Sequence, residues 1–458
     1  MRVFHKVSAG FDDPNLVSCA GLVPVLTLAE RAGLHELVGA HLRVPGSAGS
    51  NPGAKVAALI AGMVAGAHTF VGMDLLRHGG MGRLFSAGRA PSTLGTFLRA
   101  FAFGHVRQLD AVASRLVVNL VGMTPLLTDV EEVAYLDIDD TIKATYGYQK
   151  QGAGYGYSGV KGLNALLAIV STPTAAPVIV ATRLRKGSTN SPRGAARIVA
   201  DAVVTARKAG ATGVLTVRCD SAYYGHAMVA AARRGGARFS VTARMDPAVT
   251  RAITEIPANG WTPIKYAHAI FDEQENRWVS DAEVAEIGFT AFTSHKRSEH
   301  IGARLIVRRV KRLNPKAVPV GQGELFSTWR HHAVFTDSRE SMLAAEATHR
   351  DHAIVEQVIA DLKAGPLARM PSGQINANAA WLVLAAIAFN LTRAAGTLAS
   401  RFHAKATTAT IRAQLINVPA RIARSARRTR LHLPQHWPWE EAWQAMLTAA
   451  FGPPTAAT

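Results

Sequence analysis

Residues 133–141 read VAYLDIDDT and residues 217–225 read VRCDSAYYG. Both stretches place an acid directly behind a short apolar run. Val133 to Ile138 has the length and β-branched content of a buried strand, and so does Gly213 to Cys219. Asp139 and Asp220 therefore fall at two strand ends. Between them, a Gly- and Tyr-rich segment, GAGYGYSGVKG, leads into two further apolar runs, Leu163 to Val170 and Pro177 to Thr182. Their connections suit a meander of neighbouring strands. Ser191-Pro192 reads as a cap and first helical residue, opening a helix through Arg207. A helix at Gly225 to Arg234 and a strand at Arg238 to Ala243 follow. Three strands, a helix, a strand, a helix and a strand predict an α/β fold, a mixed sheet flanked by helices.

The flanks have different textures. Residues 1–125 are rich in Ala, Leu and Gly at helical spacing, as in Val23 to Leu42 and Thr93 to Leu120, with Ser92-Thr93 behind Pro91 as a helix start. They predict an N-terminal helical domain. Its Arg99, His105 and Arg107 suit either a DNA-binding face or a solvated basic face. The core's first part is expected over 126–245. Over 246–338, short segments at Thr262 to His268, Glu286 to Phe292 and Ala303 to Val310 alternate with polar turns and predict a β-rich insertion. The core resumes over 339–398 with helices at Glu346 to Leu362 and Ala379 to Leu398. Residues 399–458 form a basic C-terminal region containing RIARSARRTRLHLP and WPWEEAW.

Among 458 residues, 51 Lys and Arg face 32 Asp and Glu, a formal charge of +19. Such a surplus must lie largely at the surface and favours a polyanionic partner, although a basic enzyme of another kind has the same composition. Two cysteines, Cys19 and Cys219, are too few for a disulfide framework or a Cys-rich zinc site. The opening MRVFHKVSAGFDDPN lacks the apolar core and cleavage site of a signal peptide. The run Ala379 to Phe389 is too short to cross a bilayer. A soluble, cytoplasmic protein with no membrane partner is expected.

Acids at the ends of adjacent strands, joined by one from a helix on the sheet, can converge. Glu356 is the helical candidate. Three such carboxylates offer the hard oxygen ligands that Mg2+ or Mn2+ requires. Two ions about 4 Å apart can stabilise both the attacking and leaving oxygens of an in-line displacement at phosphorus. Taken singly, Asp139 and Asp220 read as solvated turn residues and Glu356 as a surface helix residue. His349, His352, Glu356 and Lys363 lie at offsets of 0, 3, 7 and 14. At about 100° per residue they form one polar stripe. The histidines are expected to position substrate rather than to bind metal.

These residues resemble the DDE transposases of bacterial insertion sequences, which have an RNase H-like core. The resemblance covers roughly residues 130–395 and rests on LDIDDT, VRCDSAYYG and HRDHAIVEQVIADLK. In the subgroup most resembled, the last helix reads Tyr-x2-Arg-x3-Glu-x6-Lys; here His349 and His352 stand for the Tyr and Arg, while Glu356 and Lys363 match. The family pattern Asp-x-Thr selects Asp139, with Thr141, over Asp137 and Asp140. That subgroup also carries a β-rich insertion before the Glu.

The resemblance implies catalysis by Asp139, Asp220 and Glu356 through two Mg2+ or Mn2+ ions. It implies binding of double-stranded DNA at the element's terminal inverted repeats, hydrolysis at each end and attack of the freed 3′ hydroxyl on target DNA. A homodimer follows from two ends processed together, in a nucleoid-associated bacterial protein. Lys363, His349, His352 and a basic loop of Arg183, Arg185 and Lys186 would contact DNA, and Trp329 would stack on a displaced base unless it is a core residue. The alternatives are an RNase H-like nuclease and a transposase-derived DNA-binding regulator.

Overall fold

Gly33 has φ near 82°, a left-handed conformation that costs other residues strain, and it divides the first apolar stretch into two helices. These are α1 (Leu22–Arg31) and α2 (Leu34–His41). Helix α3 (Pro52–Ala65) follows. The second stretch also divides, into α4 (Pro91–Arg99) and α5 (Phe103–Met123), with Pro91 itself in the first turn just ahead of the expected Ser-Thr start. The computed structural model describes residues 7–86, 88–146, 150–265, 270–272, 277–279, 282–311, 329–425 and 428–452. The chain divides into two units, one of residues 1–126, 143–153 and 360–458, the other of 127–142 and 154–359.

The second unit is built on one sheet. In chain order its main elements are β1 (Val133–Ala144), β2 (Lys161–Ser171), β3 (Val178–Lys186), α6 (Ala195–Lys208), β4 (Val214–Cys219), α7 (His226–Arg234) and β5 (Arg238–Thr242). Strands β6 (Ala282–Ala291), β7 (Ile301–Lys311) and β8 (Trp329–Thr336) come next. Helices α8 (Met342–Arg350) and α9 (Ile354–Ala364) then return toward the chain's end. The strand order is β2-β1-β4-β5-β8-β7-β6, with β3 paired to β2 and the short strands Gly154–Tyr155 and Thr262–Pro263 at the margins. Strands β1, β4 and β5 run parallel, whereas β5/β8, β8/β7 and β7/β6 are antiparallel. The fold is mixed α/β, as expected.

Several boundaries move for physical reasons. Strand β1 continues through Asp139 and Asp140 to Ala144, so the acids lie within a strand rather than behind it. Strand β3 runs to Lys186, which turns the expected basic loop into strand. Helix α6 starts at Ala195, behind Gly194 at φ 83°, and not at Pro192. The insertion is continuous with the core: β8 pairs with β5 through Val334/Thr242, Phe335/Val241 and Thr336/Ser240. Of the expected strand over 262–268, Thr262–Pro263 is observed; residues 266–268, together with 1–6 and 426–427 of the terminal stretches read above, lie outside the described residues.

The helical unit draws on both ends of the chain. Helix α10 (Ile375–Ala399) packs against α3, α5 and α11 (Glu440–Phe451). At 25 residues it is long and apolar enough to cross a membrane, longer than the apolar run alone indicated, yet most of it is buried within the unit. The C-terminal basic stretch forms a hairpin of Ala420–Ser425 and Arg428–His432, whose first strand pairs with Leu16–Val17. Trp381, fully buried on α10, donates from Nε1 to the Pro366 carbonyl at 2.8 Å and meets Phe70 edge-on at 5.5 Å. Trp381→Ala removes this anchor and should cost the helical unit about 3–5 kcal/mol. Urea unfolding monitored by circular dichroism would measure it.

Candidate active site

Along β1, side chains alternate between the two faces of the sheet. Asp137 and Asp139 share one face and Asp140 points to the other. The parallel register pairs Asp137 with Arg218 and ends at Ile138 with Cys219. Asp139 and Asp220 are the next residues on the two strands, about one strand spacing of 4.8 Å apart in backbone. Asp220 also caps the short turn Ser221–Tyr223, accepting from the Ala222 amide at 2.9 Å.

The three acids of LDIDDT have three different environments. Asp137 is fully buried and accepts from Arg218 Nε at 2.7 Å and Nη2 at 2.8 Å, while His352 Nδ1 lies 3.0 Å from its Oδ1. Burial works to raise this carboxyl, but Arg218 and the His352 bond outweigh it and hold it below its ordinary value. Asp140 is bound by Arg185 Nη2 at 2.7 Å, by the Tyr223 hydroxyl at 2.7 Å and by the Asn164 amide. Asp139 has no such cationic partner within bonding distance among the described residues; its recorded bond is from the Asp140 amide at 2.7 Å. Burial and the nearby Asp220 charge push the Asp139 carboxyl up to about 7, against the opposing effects of that amide and of His352. The Asp220 carboxyl is raised too, by burial first and by Asp140.

The polar helix stripe is interrupted. Helix α8 ends at Arg350, a 3-10 turn covers Asp351–Ala353, and α9 begins at Ile354. This tightening changes what each residue faces. His349 is buried, with Nδ1 2.9 Å from Ser240 Oγ and Nε2 2.9 Å from Thr242 Oγ1. Burial lowers its pKa to about 3. Both ring nitrogens are thus occupied inside the protein, which corrects the expectation that His349 contacts DNA. His352 turns toward Asp137, close enough to Asp139 and Asp220 to favour their charged forms. Glu356 is exposed on α9, four residues and about 6 Å of helical rise beyond His352.

Other expected DNA contacts also divide. Arg185 is buried and bonds Asp140, Asn164 Oδ1 and the Ser191 and Arg193 carbonyls. Its guanidinium is committed to the fold, a second correction. Arg183 is half-buried, 3.5 Å from Asp201, whereas Lys186 is exposed. Trp329 is half-buried at the start of β8; the Arg309 guanidinium lies 4.5 Å from its ring and 4.0 Å from that of Trp261. Lys363 is half-buried on α9, and with Arg369 it lowers the Lys143 amine beyond the effect of burial.

Sequence reasoning missed Arg218, Tyr223 and Asn164. Arg218 carried a signal: a charged residue inside an apolar strand needs a buried partner, and Asp137 is the acid inside the neighbouring strand. Tyr223 and Asn164 carried none, because their roles depend on which face of β1 Asp140 occupies.

Two neighbouring carboxylates with raised pKa values, offering only oxygen donors and, among the described residues, no protein cation in bonding distance of Asp139, fit hard divalent cations. Acids placed in this way on parallel neighbours are compatible with metal-dependent chemistry at phosphorus. The family model for the transposase DDE domain, group 1, matches residues 3–450, and the chain belongs to that family. It is a DDE-type transposase with an RNase H-like core. No curated protein matches the chain.

Arg218→Met leaves the buried Asp137 without its main partner and should destabilise the fold by about 3–5 kcal/mol; Asp137→Asn/Arg218→Met should recover part of that loss in the same thermal unfolding experiment. A raised folded pKa means that the metal-free folded state retains a proton which the unfolded chain has released. Asp139 therefore favours folding fully below pH 3.8, and the contribution is lost as pH rises through about 7. The Tm of metal-free protein, relative to Asp139→Asn, should fall between pH 4 and 7; a flat difference would contradict the assignment.

Proposed function

We propose that Asp139, Asp220 and Glu356 hold two divalent ions and that the protein cuts the ends of its own insertion sequence and joins them to target DNA. The observation that carries this reading is the pair Asp139 and Asp220, adjacent on parallel strands and, among the described residues, without a Lys or Arg ion pair, in a chain of the DDE transposase family. The position of His352 against Asp137 supports the assignment of Glu356, since the acid lies one helical turn further along on α9.

When bound, the two ions would supply Lewis-acid stabilisation to both oxygens of an in-line displacement at phosphorus. The chain's own residues prepare the site. Arg218 fixes Asp137 and thereby the strand face on which Asp139 stands. Asp140 is withdrawn to the opposite face by Arg185, Asn164 and Tyr223, so it does not compete for the same position. His352 faces both open carboxylates and favours their ionised, ligand-competent forms. Asp220 is oriented by the Ala222 amide.

The substrate in this reading is double-stranded DNA carrying terminal inverted repeats, handled by a homodimer so that both ends react together. Lys363 would contact a backbone phosphate, and the nearby Lys143 and Arg369 would join it. Lys186, exposed at the end of β3, and Arg183 would add phosphate contacts. A base that stacked on Trp329 would compete with the Arg309 guanidinium already lying over the ring.

Asp220→Ala should lower excision from a plasmid with matched element ends by at least about 10³-fold, while a mobility shift with the same ends stays nearly unchanged. Comparable cutting would remove Asp220 from the site. Shifting without cutting by the unaltered protein would favour a DNA-binding regulator.

A further inference from the structure

His226 on one side and His295 with Glu299 on the other meet at one point. His226 is the first residue of α7, His295 lies in the connection between β6 and β7, and Glu299 ends a short turn just before β7. One candidate ligand atom from each lies within 4.8 Å of the other two. His295 Nδ1 is 2.8 Å from Glu299 Oε2, and the His226 and His295 rings are 5.6 Å apart.

The arrangement is fixed by its surroundings. Phe292 has φ near 63°, a left-handed backbone that a bulky residue adopts only under constraint. Its ring packs 5.3 Å from Tyr224, 5.8 Å from His226 and 6.2 Å from Phe335. That packing explains how the strained residue is held. The His295 amide donates to the Phe292 carbonyl at 2.9 Å, and His300 Nε2 donates to the His295 carbonyl at 3.0 Å. The connection thus presents His295 and Glu299 from a hydrogen-bonded turn braced against α7.

We propose that His226, His295 and Glu299 form a binding site for a single transition-metal ion of the Zn2+ type, separate from the carboxylate site and pinning the β6–β7 connection to α7. Two imidazoles and one carboxylate are a borderline donor set that suits Zn2+, with a further position open to water. They do not suit Mg2+, which requires oxygen ligands. Ion binding replaces the direct His295–Glu299 hydrogen bond: the imidazole proton leaves Nδ1 for Nε2 or for solvent, and the freed lone pair becomes the ligand. The ion would tie the insertion to the helix that follows the Asp220 strand.

The test uses the full chain in an Asp139→Asn/Asp220→Asn background, which weakens the carboxylate site as a competing one, with Co2+ as a spectroscopic probe and Zn2+ as competitor. The expected result is one Co2+ per chain, with the visible absorption of nitrogen ligation. Zn2+ should displace it, and excess Mg2+ should not. His226→Ala and His295→Ala should each weaken binding by at least about 100-fold, since loss of even an outer-shell partner costs about 10–100-fold. Should His226→Ala misfold, His295→Ala decides the matter, because His295 is exposed and its replacement leaves the core intact. Absence of a nitrogen-ligated Co2+ band in the parent, or unchanged affinity in His295→Ala, would overturn the proposal.

Discussion

The buried pair of Asp137 and Arg218 is the constraint on which the second unit of this protein depends. Both side chains are almost wholly removed from solvent, at 0% and 1% exposure. Each ion loses several kcal/mol of hydration on burial, so the pair contributes little net stability over an apolar alternative. Its effect is on register. Asp137 and Arg218 are opposite one another in the parallel ladder, and a slip of one residue would send one charge to the wrong face and leave the other unpaired. Correct register is what sets Asp139 beside Asp220. The same cluster reaches the helices: Arg218 donates to the Thr348 carbonyl at 2.6 Å, and His352 meets Asp137. One buried cluster therefore governs both strands and the segment leading to Glu356.

Three carboxylates within four residues illustrate how a pleated strand sorts like groups into unlike roles. Asp137 is neutralised by a guanidinium on one face, and Asp140 by another guanidinium on the opposite face. Asp139 shares the face of Asp137, but it lies beyond the last pair of the parallel ladder. The protein thus supplies cations to the two neighbours, while burial and Asp220 disfavour the charged form of Asp139 and no guanidinium offsets them. A carboxyl left in that condition is a strong attractor for a small, highly charged cation.

Much of this was legible from patterns. The apolar runs before Asp139 and Asp220 marked two strands, and the alternating segments after residue 246 marked β structure, whereas the parallel and antiparallel pairings come from the fold. What could not be read was orientation. Arg185 and Lys186 are adjacent in the chain, yet one is buried against Asp140 and the other exposed, because β3 continues where a loop was expected. His349 and His352 were expected to lie on one stripe. The 3-10 turn at Asp351–Ala353 separates them, so that one is held between Ser240 and Thr242 and the other faces the acids. Long-range partners decide such cases, and neither helical spacing nor local composition encodes them. The helix expected over Ala379 to Leu398 is α10, which extends it by a few residues at its start and buries Asn378, Asn390 and Arg393 along with its apolar positions.

The ladder joining β5 to β8 has a mechanical consequence. A module attached through two loops can swing as a rigid flap about its tethers. Here the module's last strand is stitched edge to edge into the sheet that bears the acids, through Val334, Phe335 and Thr336. Hinging would require those backbone hydrogen bonds to rupture together. Load applied to the outer strands is therefore transmitted across the sheet as twist, and a ligand gripping the far margin would be felt as torsion at β4, the strand that ends at Asp220.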